Sequence, residues 1–297
     1  MSRVLVFGSL NMDLVVETSA FPRLGETLLG GTFAMHAGGK GANQAVAAAR
    51  LGAEVTMLGR VGTDEFGAEL KARVAAEGVA TRWVQETPGV STGIAAITVC
   101  NADNAIVVVS GANSCLRAAD LDVAESAFAE ADVVLAQLEV PLATVAHGAE
   151  LADRYRKPFL LNPAPAARLP ESLLARCTMI TPNEYELGVA LAQPGLGWQA
   201  LLTRLPGRVV VTKGADGAYF TDETGAQRHQ PAFPVKPVDT TGAGDTFNGA
   251  LGAFWDLGVA EAVRRGCAAG ALSTTKHGAQ DSMPMLAELN AFLERAR

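Results

Sequence analysis

The sequence predicts an α/β fold, a mostly parallel central sheet flanked by helices with a small β-sheet inserted into it. The prediction rests on three observations. Short apolar runs bounded by turn residues recur along the chain, as strands buried on both faces do. Ala-rich segments of helical length lie between them, and two other regions are β-rich with no helix intervening. At 297 residues the chain is long enough for one large α/β domain with an insertion, and 49% hydrophobic with 19% charged residues excludes a disordered or fibrous class.

In chain order, residues 4–7, 55–58, 133–138, 159–161, 179–180 and 209–212 read as buried strands, and 41–51, 65–77 and 121–130 as helices. Their alternation implies right-handed βαβ units. Residues 13–18, 26–36, 92–100 and 105–110 read as further strands, the last two joined by the turn-prone segment 101–104. They suggest a small antiparallel sheet inserted at roughly 13–36 and 92–110 of a single domain spanning 1–297. One meaning is a lid over an active site; the plain alternative is a hairpin pair that lengthens the sheet. Later, Phe247, Leu251, Phe254 and Trp255 at helical spacing before Gly258 predict a helix opening near Gly244.

Several function classes are excluded early. The net charge of −7 and the lack of a Lys/Arg stripe argue against nucleic-acid binding. The apolar run near the N-terminus is too short for a secretion signal, and no run reaches the roughly 18 apolar residues a spanning helix needs, so a cytoplasmic protein with no membrane partner is expected. The four cysteines, Cys100, Cys115, Cys177 and Cys267, are widely spaced and read as free thiols. GxxxxGK[ST] is absent and GxGxxG fails at both candidate sites, which disfavours a Walker-type NTPase and a nicotinamide enzyme. A GxSxG match at 89–93 offers Ser91 as a hydrolase nucleophile. That motif needs a helix after the serine, and a strand-like segment stands there instead.

The segment Thr240-Thr241-Gly242-Ala243-Gly244-Asp245 poses the central question. Asp245 in the first turn of a helix has an ordinary role, since the dipole rewards an acid there by about 0.3–1 kcal/mol. Gly242 and Gly244, however, strip side chains from the point where backbone N–H groups converge, the arrangement that binds phosphate. A carboxylate beside a bound phosphate is repelled by it, and makes sense chiefly as the base for a hydroxyl attacking that phosphate. A second glycine turn, Gly38-Gly39-Lys40-Gly41-Ala42-Asn43, runs into an Ala-rich helix. Tight helix packing accounts for the alanines; Lys40 and Asn43, polar at the mouth of an apolar helix, suit sugar hydroxyls. Thr181, Pro182 and Glu184 fit a capping box, leaving Asn183 and Glu186 free to face a metal–phosphate complex. Thr212 and Gly214 end a strand and either touch a nucleotide or form an ordinary turn.

Together these segments resemble the ribokinase family of sugar and nucleoside kinases over essentially the whole chain. The resemblance is carried by Asn11-Met12-Asp13, Gly38 to Asn43, Gln137-Leu138-Glu139-Val140-Pro141, Leu161 to Ala166, Asn183 to Glu186, Thr212-Lys213-Gly214, Asp239 to Asp245 and Gly278-Ala279-Gln280. It implies ATP-dependent phosphorylation of a furanose, D-ribose first, at its 5-hydroxyl. Asn11, Asp13, Gly39, Lys40, Asn43 and Glu139 would bind the sugar, Asp245 would be the base, and Gly242, Ala243 and Gly244 the anion hole. Asn183, Thr212, Gly214 and Gly244 would bind ATP, with Glu186 acting on Mg²⁺ through water. Asp239, Thr241, Gly278 and Ser282 would hold a monovalent cation, K⁺ first, and the lid would carry a homodimer contact. The same chemistry on deoxyribose, fructose or a nucleoside is the alternative, followed by a silent sugar-binding regulator. Cys267 near the adenine, Asp281 in place of a proline and the short, Gly-rich segment 187–198 depart from the family pattern.

Overall fold

The computed structural model describes residues 2–101, 103–222 and 224–296. The chain opens with β1 (Arg3–Phe7), followed by β2 (Asn11–Glu17), β3 (Thr32–Gly38), helix α1 (Lys40–Arg50), β4 (Glu54–Gly62), α2 (Glu65–Ala76) and β5 (Ala80–Thr87). Next come β6 (Gly93–Cys100), β7 (Asp103–Val109), α3 (Ala118–Val123), α4 (Glu125–Glu130), β8 (Val133–Ala136), α5 (Leu142–Arg154), β9 (Phe159–Leu161), α6 (Glu171–Arg176) and β10 (Met179–Ile180). The C-terminal part holds α7 (Glu184–Ala190), α8 (Trp198–Leu202), β11 (Val210–Thr212), β12 (Ala218–Thr221), β13 (Gln227–Gln230), α9 (Ala243–Ala253), α10 (Val259–Ser273) and α11 (Leu286–Arg295).

Six strands form the central sheet in the order β10-β9-β8-β1-β4-β5, with every pairing parallel. The strands read as unbroken apolar runs because the sheet is covered on both faces. On one face Val4, Val6 and Leu135 pack with Ala45, Val46, Leu251 and Val263; on the other Leu5, Phe7 and Val134 pack with Phe128, Val145 and Leu151. Phe7 anchors that second face, its ring lying 6.1 Å from those of Phe128 and Phe159. Residues 209–212 only graze this sheet: the isolated parallel bridges Ile180↔Val209 and Asn183↔Thr212 continue it, while β11 itself pairs antiparallel with β12 in a separate three-stranded sheet.

The small sheet is four-stranded, in the order β3-β2-β6-β7. Its outer pairs are antiparallel, as expected, but β2 and β6 run parallel. Strand β3 begins only at Thr32, so 26–31, predicted as strand, is irregular chain containing Gly30 and Gly31. The predicted helix at 121–130 divides into α3 and α4 at Ala124. Helix α9 stops at Ala253, so Phe254 caps it, and the left-handed Gly258 (φ 84°) closes a further short turn before α10. Ser91 sits exposed in the loop between β5 and β6, without the strand–turn–helix an elbow nucleophile requires. No helix among the described residues is long and apolar enough to cross a membrane.

Candidate active site

Helices α1 and α9 meet with almost nothing between them. A β-carbon added to Gly249 would lie 2.5 Å from Ala47 Cβ and 2.7 Å from the Gln44 carbonyl, so the two backbones are in contact there. The alanines of α1 and the small residues of α9 exist for this approach, and it brings both helix N-termini to one place. There Asp245, 6% exposed, receives a hydrogen bond from each of two amides: Asn43 Nδ2 donates to Oδ2 at 2.9 Å and Gln44 Nε2 to Oδ1 at 3.2 Å. Asn43 is held in turn by Gln280, whose Nε2 donates to Asn43 Oδ1 at 3.1 Å.

A polar pocket adjoins Asp245. Glu139 Oε2 accepts from Ser9 Oγ at 2.5 Å, from Asn11 Nδ2 at 3.4 Å and from the Lys40 backbone N–H at 3.0 Å. Asn113 fixes the segment that enters β2, accepting from Leu10 N at 2.9 Å and donating to Asn11 Oδ1 at 2.7 Å. Asp13 lies flat against Gly38, where any side chain would come within 2.4 Å of its carboxylate, which is why residue 38 is glycine. Burial first, then the nearby Glu139 and Asp245, push the Asp13 carboxyl up to about 7, with Lys40 opposing. The Lys40 ammonium is pushed upward, chiefly by Asp245 and against its burial, with Glu139, Glu186 and Asp13 adding to the effect. One cation thus sits among four carboxylates.

On the other side of Asp245 opens a cavity of about 470 Å³ that Gly244 lines together with Thr212, Gly214, Phe233 and Cys267. Gly242 adopts a left-handed backbone (φ 74°) as the N-cap of α9. The N–H groups of Gly242 and Gly244 have no acceptor among the described residues, whereas that of Ala243 is turned to the Thr240 carbonyl at 3.2 Å. Cys267 lies at the cavity wall with its thiol pushed up to about 12 by burial.

Asn183 and Glu186 form the capping box of α7 themselves: Glu186 N donates to Asn183 Oδ1 and Asn183 N to Glu186 Oε2, each at 2.8 Å. This corrects the Thr181–Glu184 assignment. Pro182 lies outside the helix, and Thr181 instead donates through Oγ1 to Asn248 Oδ1 at 2.5 Å, tying β10 to α9. Glu186 still faces the site, its carboxyl pushed up by burial first, opposed by the Asn183 N–H and by Lys40, with Asp245 reinforcing the rise.

Asp239, Thr241 and Gly278 are drawn together. Asp239 Oδ1 accepts from the Thr241 N–H at 2.9 Å and hydroxyl at 2.7 Å, and Oδ2 from Gly278 N at 2.9 Å. Ser282 is buried nearby in sequence but turns its hydroxyl to the Ala279 carbonyl at 2.9 Å. Ser9, Gln44, Asn113, Gln137 and Gln280 were given no role from sequence, although Gln137 and Gln280 stand in the motifs that carry the resemblance. Polar residues inside the apolar stretches flanking the glycine turns were the available signal.

A helix N-terminus stripped of side chains, a buried carboxylate held beside it, a polar pocket on one side and a nucleotide-sized cavity on the other define an enzyme that transfers a phosphoryl group to a hydroxyl. Comparison with known proteins agrees. Residues 1–286 match the pfkB family carbohydrate kinases, and the chain belongs to that family. It is 40% identical to the ribokinase of Bacillus subtilis (strain 168) over 99% of this chain and 100% of that protein, and 36% identical to the deoxyribokinase of Salmonella typhi over 98% of each. The solved structure of Arabidopsis thaliana ribokinase complexed with ribose and ATP superposes with a TM-score of 0.90 at 28% identity, covering 99% of both chains.

Proposed function

We propose that the protein transfers the γ-phosphoryl group of ATP to the 5-hydroxyl of D-ribose, giving D-ribose 5-phosphate. The observation that carries this is the wall of Asn11, Asp13, Lys40 and Glu139 beside Asp245, a set of hydrogen-bonding groups suited to a polyhydroxylated furanose. Among the described residues Glu139 Oε1 accepts no protein hydrogen bond, which leaves it for a sugar hydroxyl. Lys40 offsets the crowded carboxylates.

In the reaction Asp245 takes the proton of the sugar hydroxyl as its oxygen bonds to γ-phosphorus and the bond to the β-phosphate oxygen breaks. The Gly242 and Gly244 N–H groups, with the α9 dipole behind them, stabilise the charge on the transferring group. ATP occupies the 470 Å³ cavity past Thr212 and Gly214. Mg²⁺ supplies charge neutralisation on the phosphates. Its fit is as an ion carried mainly by ATP and water, since no group of three or more His, Cys, Asp or Glu side chains among the described residues could hold a metal alone. Glu186 and Asn183 would reach it through water. Oxygen donors at Asp239, Thr241, Gly278 and Ser282 suit a hard monovalent ion such as K⁺. The four-stranded sheet serves as the lid, and its exposed β7 is where two copies pair.

The test is ATP-dependent phosphorylation of D-ribose and 2-deoxyribose with Mg²⁺ and K⁺ present, run beside Asp245→Asn. Expected are ribose as the better acceptor and a roughly 10³-fold or larger loss of kcat in the variant, with ribose binding nearly unchanged. Preference for deoxyribose would replace the sugar and keep the mechanism; wild-type turnover in Asp245→Asn would remove the base.

A further inference from the structure

Behind Asp245 runs a file of buried amides that the reaction above does not use. Gln44 is 1% exposed; its Nε2 donates to Asp245 Oδ1 at 3.2 Å and to Asn162 Oδ1 at 3.3 Å, while its Oε1 accepts from Gln137 Nε2 at 2.7 Å. Gln137 is 0% exposed, and its Oε1 has no hydrogen-bond partner. An orphaned buried acceptor destabilises a fold and calls for a reason.

The chemistry of the file supplies one. A carboxylate offers only lone pairs, and Asn162 Oδ1 does the same because its Nδ2 is committed to the Thr181 carbonyl at 3.1 Å. Gln44 must therefore turn its NH₂ toward Asp245, which points its Oε1 at Gln137. Gln137 must in turn present its NH₂, so its own Oε1 ends against Gly8, where even a β-carbon would lie 2.0 Å away. Reversing Gln137 would set two carbonyl oxygens face to face. The unpaired oxygen is the consequence of directing donation toward the catalytic carboxylate.

We infer that Gln44 and Gln137 are positioning residues for the base. Asn43 holds Oδ2 and Gln44 holds Oδ1, so the plane of the Asp245 carboxylate is fixed, and with it the direction of the remaining lone pairs toward the acceptor hydroxyl. Among the described residues Gln137 makes no side-chain hydrogen bond to the sugar wall and does not line the cavity; it acts by fixing which way the Gln44 amide faces.

The inference rests on the kinase reading, so turnover of D-ribose by the wild type is established first; a wild type inert on ribose overturns the sugar and moves the comparison to the sugar it does phosphorylate. Gln44→Met, close in shape and without a donor, is expected to lower kcat by roughly 10- to 100-fold while the calorimetric Kd for the sugar stays within about threefold. Gln137→Met exchanges one orphan for another, so its melting temperature should hold while kcat falls several-fold at unchanged Kd. That split separates positioning from folding. If Gln44→Met does not fold, Gln137→Met and the double variant carry the test. A kcat within twofold of wild type in a folded variant, or sugar affinity falling in step with kcat, overturns the inference.

Discussion

Asp239 and Gly278, 39 positions apart, are joined by a single hydrogen bond of 2.9 Å from the Gly278 N–H to Asp239 Oδ2, and this bond closes the loop in front of α9. Burial alone would raise the Asp239 carboxyl; the Thr241 hydroxyl and the two N–H donors outweigh it and hold the carboxyl below the ordinary range. A carboxyl that is easier to ionise when folded stabilises the fold in full above its unfolded value near 4, and that contribution disappears as pH falls through the lowered folded value. Asp239→Ala is expected to destabilise the protein by about 1–3 kcal/mol at pH 7 and to abolish stimulation by K⁺. Melting curves from pH 7 to pH 3 check the first part: the gap between wild type and variant should narrow below about pH 4. A gap independent of pH would rule out the carboxylate as its source.

Asp13 should make sugar binding depend on pH, and its contribution to stability should run opposite to that of Asp239. Its carboxyl, raised to about 7, holds a proton in the sugar-free protein below that pH. Sugar hydroxyls donate to the ionised form, so binding releases a proton, and ribose affinity should rise roughly tenfold from pH 6 to pH 8. The stability of the sugar-free protein carries the reverse sign, because a carboxyl harder to ionise when folded binds its proton more tightly there: this contribution grows as pH falls from 7 toward 4. Calorimetry in two buffers of different ionisation heat reads the proton release directly, and Asp13→Asn should lose it.

Gly244 and Gly242 should separate chemistry from folding. A β-carbon on Gly244 meets nothing within 4 Å, so Gly244→Ala should fold with equal or higher stability, by up to about 1 kcal/mol from helix propensity. Its methyl would nonetheless project where the phosphoryl group passes, and kcat should fall by roughly tenfold or more. Gly242→Ala places an alanine at φ 74° with its Cβ 3.1 Å from Ala279 Cα, and should cost about 1–2 kcal/mol of stability as well. Thermal melts paired with initial rates distinguish the two; equal melting losses would contradict the geometry.

The small sheet exposes Ile106, Val107, Val108 and Val109 along β7, with Phe33 and Met35 on β3. An edge strand this apolar is built to be covered. Sedimentation is expected to show a dimer, and Val107→Lys a monomer, with ribose KM raised by loss of support to the proposed lid. A monomeric wild type at micromolar concentration would assign β7 another role.

The sequence was most readable where a residue type has one physical use. Unbroken apolar runs gave β1, β8 and β9, and the glycine turns led directly to Lys40, Asn43 and Asp245. It was least readable where two local patterns compete: Thr181–Glu184 and Asn183–Glu186 both satisfy the spacing of a capping box, and only the folded chain shows that the second pair makes the reciprocal hydrogen bonds. Strand β5 was missed because at the sheet edge only Val84 is buried, the other residues being exposed or partly buried, with no apolar run. The roles of Gln44, Gln137 and Gln280 escaped because they lie in partners more than 90 residues away.

The contact between Gly249 and Ala47 makes α1 and α9 a ruler. One helix carries Lys40 and Asn43, the other Asp245 and the turn at Gly242 and Gly244, and at Gly249 no side chain larger than a methyl stands between the two backbones. In the reaction proposed above, the span from acceptor to donor is then set at this contact by backbone thickness. New acceptors are to be sought by altering the strands above the pocket; a single methylene added between these helices would change the stroke of the reaction for all of them.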